Sequence, residues 1–233
     1  MNIAVILAGG SGTRFGSGRP KQFYMLGGKT VLERSIEIFE RNGNIDEIAV
    51  VIRSDYVDEV RKMVARNAYG KVRRILTGGA ERYHSALAAI DAYTNDDDCL
   101  FFHDAVRPMV TQRTVNDCAE AIGRYDAVDV GLQTVDTIIR VGEDGCIAEI
   151  PPRRNLRNGQ TPQVFRRGVI AKAYGIGLKD PAFATTDECG VVLKYLPEVP
   201  IYVVDGDVRN NKLTYPEDVI FFERLIELDV SGK

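Results

Sequence analysis

Apolar runs alternate with segments of helical period through the first half of the chain. "NIAVILA" (2–8), "EIAVVIR" (47–53), "VRRIL" (72–76) and "CLFFHDA" (99–105) are dominated by Val, Ile, Leu and Phe, the pattern of strands covered on both sides. Between them, "TVLERSIEIFERN", "DYVDEVRKMVARN" and "AERYHSALAAIDAY" repeat apolar residues three and four apart and predict amphipathic helices. The alternation predicts an α/β fold, a mostly parallel sheet with helices on both faces. "IYVVDGD" predicts a later strand. "TYPEDVIFFERLIEL" predicts a closing helix with Thr214 as N-cap and Pro216 in its first turn.

The alternation lapses between about 134 and 165. There "VDTIIRVGEDGCIAEIPPRRNL" sets β-branched residues on both sides of "GEDG", which predicts a hairpin; Pro151 and Pro152 then interrupt its ladder. The segment has too few apolar residues for a core of its own. Residues 1–233 therefore read as a single domain with a protruding β-hairpin arm at about 137–160.

In open parallel sheets, ligands gather beyond the carboxyl ends of the strands. The residues there are polar and clustered: "AGGSGTR", "TGGAERYHS", "HDAVRP" and "VRNNKLTYPED" would converge on one edge.

Composition narrows the function. The 233 residues are 45% hydrophobic and 27% charged, with a net charge of −3; this suits a globular protein and argues against a broadly basic nucleic-acid binder. The apolar run at 3–8 is too short to span a bilayer, and no cationic segment precedes it. A cytoplasmic protein without membrane or nucleic-acid partners is expected. Cys99, Cys118, Cys146 and Cys189 have neither metal-pair nor disulfide-framework spacing and are expected to be buried thiols.

The glycines after the first strand fail two familiar templates. Gly10, Gly12 and Gly16 are spaced one residue too long for G-x-G-x-x-G, and "SGRPKQ" follows where a helix should begin. "GGKT" at 27–30 lacks the P-loop's first glycine, since position 23 is Phe23; a tight turn before a helix starting near Thr30 is expected instead. What remains is a long glycine loop with Arg14, Arg19 and Lys21. Its small residues let backbone N–H groups approach an anion, and its cations suit a triphosphate.

"LAGGSGTRFGSGRPKQF", "GGAERYHS", "HDAVRP", "VDTI", "GQTPQVF", "TTDEC" and "NNKLTYPED", in this order along nearly the whole chain, resemble the cytidylyltransferases that attach CMP to a polyol phosphate. That family sits within the nucleotidyltransferases that join nucleotides to phosphorylated sugars. The resemblance implies a Rossmann-like fold of the nucleotide-diphospho-sugar transferase type. "HDAVRP", "AVDVGLQTVDTI", "IPPRRNLRNGQTPQVF" and "ECGVVLKYLPE" are similar to the branch acting on D-ribitol 5-phosphate, which is placed first. The branch acting on 2-C-methyl-D-erythritol 4-phosphate is the alternative, and a non-catalytic nucleotide-binding module on the same scaffold is the rival of another class.

The resemblance also implies roles. Arg14 and Lys21 would clamp the phosphates of CTP, and Arg153 and Lys212 would act with them in catalysis. Leu7, Ala8, Gly9 and Gly10, with Gly79, Ala80, Glu81, Arg82 and Ser85, would hold the nucleotide. Asp104, Arg107, Thr137 and Thr161 would meet the polyol phosphate, and Asp104 would also hold Mg²⁺. The attacking phosphate is already an anion and needs no general base, so His103 is expected to be structural. In the family the arm crosses to a second subunit, which implies a homodimer.

Overall fold

The computed structural model describes residues 1–10, 15, 19–79 and 81–231. Its strands are β1 (Asn2–Leu7), β2 (Met25–Leu26), β3 (Lys29–Thr30), β4 (Glu47–Ile52), β5 (Val72–Thr77), β6 (Cys99–Asp104), β7 (Ala127–Gln133), β8 (Arg140–Val141), β9 (Ile147–Glu149), β10 (Arg157–Arg166) and β11 (Ile201–Asp205). Its α-helices are α1 (Val31–Glu40), α2 (Val57–Asn67), α3 (Arg82–Ala92), α4 (Gln112–Ala121), α5 (Arg167–Gly177), α6 (Glu188–Tyr195) and α7 (Asp218–Ser231).

Seven strands form one sheet in the order β11-β7-β10-β6-β1-β4-β5. β1 is parallel to β4 and β6, β4 to β5, and β11 to β7, whereas β10 runs antiparallel to both neighbours. The fold is thus Rossmann-like α/β with one reversed strand inside the sheet. Alternate residues of the central strands feed two cores. Ala4, Ile6, Ile48, Val50 and Phe101 pack with Leu32, Ile36 and Phe39 of α1 on one face. Ile3, Val5, Ala49, Val51, Leu100 and Phe102 pack with Ala86, Ala89, Ile170 and Ala173 of α3 and α5 on the other. Burial on both faces is why these strands read as unbroken apolar runs.

Local chemistry explains the entry into α1. Gly27 and Gly28, at φ +49° and +79°, turn β2 back onto β3, a conformation that favours residues without Cβ. Thr30 then caps α1: its hydroxyl accepts from the Glu33 N–H while the Glu33 carboxylate accepts from the Thr30 N–H, a reciprocal capping box. The short "GGKT" turn before a helix is therefore what the chain forms.

Three expectations change. α7 begins at Asp218 rather than just after Thr214: the Thr214 hydroxyl donates to the Lys212 carbonyl, and the Asp218 carboxylate accepts from the amides of Thr214 and Tyr215. Pro216 accordingly precedes the helix. The β8–β9 hairpin lies within the expected arm, but Arg157 to Gln160 pair with Gln133 to Val130 of β7 and so belong to the main sheet. Cys99, Cys118 and Cys189 are buried, whereas Cys146 is exposed at the hairpin turn, where no apolar layer covers it. No helix among the described residues is long and apolar enough to cross a membrane.

Candidate active site

The carboxyl ends of β1, β4, β5 and β6 open onto a cavity of about 600 Å³, a size suited to a nucleotide-scale ligand. Leu7, Ala8, Gly9 and Gly10 form one wall, Gly78, Gly79, Glu81, Arg82 and Ser85 a second, and Lys21, Asp104 and Lys212 complete the ring. Most of the sequence-predicted nucleotide residues are thus gathered in one place. Arg14 and Ala80 lie outside the described residues.

The glycine wall is held from behind. Gln22 is buried, and its Nε2 donates to the carbonyls of Ala8 and Gly10 at 2.5 and 3.0 Å. Lys21, in the same 3₁₀ turn, donates from Nζ to the Leu213 carbonyl at 2.6 Å, which ties the loop to the segment carrying Lys212. Ser85 sits in the first turn of α3 and is buried. Close approach demands glycine here: a Cβ at Gly78 would lie 2.5 Å from the Ser85 Oγ, and one at Gly79 2.6 Å from the His84 Cβ.

Asp104, the last residue of β6, collects cations. Its Oδ2 is 3.0 Å from Lys212 Nζ and 3.6 Å from Arg107 Nε, and its Oδ1 is 3.5 Å from Arg82 Nη2. Burial alone would raise this carboxyl, but the three cations outweigh it and hold Asp104 far below the usual carboxylate range. It does not cap a helix, since α4 is capped by Thr111. Thr161 lies behind it, accepting from the Asp104 N–H at 3.2 Å. The reversed direction of β10 brings Thr161 to this edge. Arg107 donates to the Asn210 carbonyl at 2.8 Å, and among the described residues its buried Nε faces only the Asp104 carboxylate, at ion-pair distance.

His103 is fully buried. Its Nδ1 meets the Thr161 hydroxyl at 3.0 Å and its Nε2 the Arg107 carbonyl at 3.1 Å, while burial lowers its pKa to about 4. It is a neutral brace between two candidate substrate residues and is not among the residues that line the cavity. Thr137 and Arg153 stand apart: both are exposed on the arm, and Arg153 donates to the Val135 carbonyl. A single chain does not bring them to the cavity.

Several cavity residues escaped the sequence reading. Arg53, Ser54 and Asp55 line it directly after β4, where the strand-end rule directs attention. Gln22 gave no signal, because its role depends on two carbonyls more than ten positions upstream. As to a metal, no group of three or more His, Cys, Asp or Glu ligands occurs among the described residues. Asp104 fits a divalent ion only as a single carboxylate ligand beside phosphate oxygens and water.

The 2-C-methyl-D-erythritol 4-phosphate cytidylyltransferase family profile matches residues 2–227. The chain belongs to this family. It is 43% identical to the 2-C-methyl-D-erythritol 4-phosphate cytidylyltransferase of Thermobifida fusca, over 98% of this chain and 94% of that protein. It is also 41% identical to the bifunctional ribulose 5-phosphate reductase/CDP-ribitol pyrophosphorylase Bcs1 of Haemophilus influenzae, over 97% of this chain but only 48% of that longer protein. Among solved structures, 4-diphosphocytidyl-2C-methyl-D-erythritol synthase from Anaerococcus prevotii superposes with a TM-score of 0.87 at 27% identity, covering 97% of this chain and 96% of that one. The protein is a cytidylyltransferase, and its cavity lies at the sheet edge where the strand-end clusters of the sequence converge.

Proposed function

We propose that this cytidylyltransferase transfers CMP from CTP to 2-C-methyl-D-erythritol 4-phosphate and releases pyrophosphate. The observation that carries the choice of polyol is the full-length match to the Thermobifida enzyme. Individual motifs are similar to the D-ribitol 5-phosphate branch, but matches at that level span few of the side chains that select a substrate. The Haemophilus relative, at 41% identity, keeps ribitol 5-phosphate as the second reading.

In this reaction a phosphate oxygen of the polyol attacks the α-phosphorus of CTP and the bond to the leaving pyrophosphate breaks. The nucleophile is an anion at neutral pH, so catalysis consists of positioning and of stabilising the charge that develops. His103, neutral and braced on both nitrogens, has no part in proton transfer. Leu7 to Gly10 and Gly79 to Ser85 cradle the nucleotide through backbone groups and the Ser85 hydroxyl. Lys21 meets the phosphates of CTP, the role that the sequence also assigns to Arg14. Lys212, Arg107 and Thr161 orient the polyol phosphate around Asp104. Asp104 would hold Mg²⁺, whose chemistry there would be to neutralise charge on the phosphates.

Thr137 and Arg153 reach a site only if the arm of one copy lies across the cavity of another. Val135, Ile138, Ile139, Val141, Ile147 and Ile150 are exposed along that arm, an apolar stripe suited to a homodimer. Pyrophosphate release from CTP and Mg²⁺ with each polyol phosphate in turn tests the reading: methylerythritol phosphate should be the faster substrate. Tight CTP binding without turnover of either would favour a non-catalytic module instead.

A further inference from the structure

The "TTDEC" motif takes no part in the roles above, yet it carries a fully buried carboxylate beside the cavity. Glu188, at the start of α6, is 0% exposed. Arg82 Nη1 donates to both of its carboxylate oxygens. Arg82 Nη2 in turn lies 3.5 Å from Asp104 Oδ1, and Asp104 Oδ2 lies 3.0 Å from Lys212 Nζ. Charge alternates along this line from the core to the cavity, and its last three members line the cavity wall.

We propose that Glu188 is a positioning residue for the transfer reaction, fixing the Arg82 guanidinium and, through it, Asp104 and Lys212. A buried carboxylate has no water to turn to, so Arg82 cannot swing away without stranding that charge. Glu188 is itself immobilised: its N–H donates to Gln163 Oε1 at 3.1 Å. Gln163 Nε2 is shared between Asp129 and Asp187, at 3.1 and 3.2 Å. Gln163 and Thr161 both belong to β10, so one strand anchors both carboxylates of the arrangement: Glu188 through Gln163, and Asp104 through Thr161. Without the Glu188 charge, Arg82 faces Asp104 alone and competes with Lys212 and Arg107 for its carboxylate. Lys212 then loses the fixed place from which it meets the polyol phosphate.

The proposal rests on the cytidylyltransfer reading but not on which polyol is used. The test is steady-state kinetics of Glu188→Gln, with CTP and whichever polyol phosphate the wild-type enzyme turns over, alongside thermal unfolding. The expected result is a loss on the order of a hundredfold in kcat/KM for the polyol phosphate, with KM for CTP near the wild-type value in protein that is folded at the assay temperature. Should Glu188→Gln fail to fold, the double variant Arg82→Met/Glu188→Met removes both buried charges together and should fold with the same loss. Wild-type kcat/KM in either folded variant overturns the proposal. So does a rise in KM for CTP, in Glu188→Gln, that accounts for the whole loss. A wrong polyol shows in the wild type; a wrong role for Glu188 shows only in the variants.

Discussion

Lys21 and His103 sit a few residues from the same chemistry and have opposite expected signatures. Lys21 is held to the Leu213 carbonyl and lines the cavity, so Lys21→Ala should lower kcat by roughly a hundred- to a thousandfold, the usual cost of one charge-directed donor. The melting temperature should barely move; parallel losses of stability and activity would contradict the catalytic role. His103, with its pKa lowered to about 4, should stay neutral throughout the physiological range. An NMR titration should show no midpoint near 6.5 for this ring. Its contribution to stability is complete above the unfolded value of 6.5 and is lost as pH falls towards 4, at about 1.4 kcal/mol per pH unit. A ring titrating near 6.5 would mean that the brace to Thr161 and Arg107 is open.

At the scale of elements, α1 and α3 both begin with a reciprocal cap, Thr30 with Glu33 and Glu81 with His84, but the approach to α3 carries a further requirement. Thr30 closes a reciprocal cap with Glu33, so Thr30→Ala should cost about 1 kcal/mol. Urea unfolding should show a lower midpoint with an unchanged slope. The approach to α3 depends on absent side chains: Gly78→Ala would drive a Cβ against Ser85, raising KM for CTP more than it lowers stability. An unchanged KM would remove Ser85 from the nucleotide site. The elements that announce themselves in the sequence are those buried on both faces or capped by residues within a single turn, such as β1, β4, β6 and α1. β10 is concealed for a physical reason. "RNGQTPQVFR" carries Gly159 and Pro162, and its buried Gln160, Thr161 and Gln163 are satisfied by hydrogen bonds to distant residues. The register shift between Gln160 and Val164 accommodates the proline. This strand delivers Thr161 and anchors Glu188, so the half of the site that sequence alone conveys is the half built on glycine loops and strand ends. Arg53 to Asp55 were within reach of the same strand-end rule; Gln22 and Glu188 were not, because their partners are remote in sequence.

For the whole molecule, the proposed roles of Thr137 and Arg153 call for two chains at one site. The cavity gathers Lys21, Asp104 and Lys212 within one chain, while Thr137 and Arg153 remain exposed on the arm. Light scattering should give a dimer. Ile139→Glu together with Ile147→Glu, on the exposed apolar stripe, should yield a folded monomer with little activity; an active monomer would place the whole site within one chain. The chemistry itself is read by pyrophosphate release from CTP and Mg²⁺ with 2-C-methyl-D-erythritol 4-phosphate and D-ribitol 5-phosphate compared at equal concentration. Release should be faster with methylerythritol phosphate, or occur with that substrate alone. Faster release with ribitol 5-phosphate would contradict the proposed substrate, and no release with either would contradict the proposed reaction.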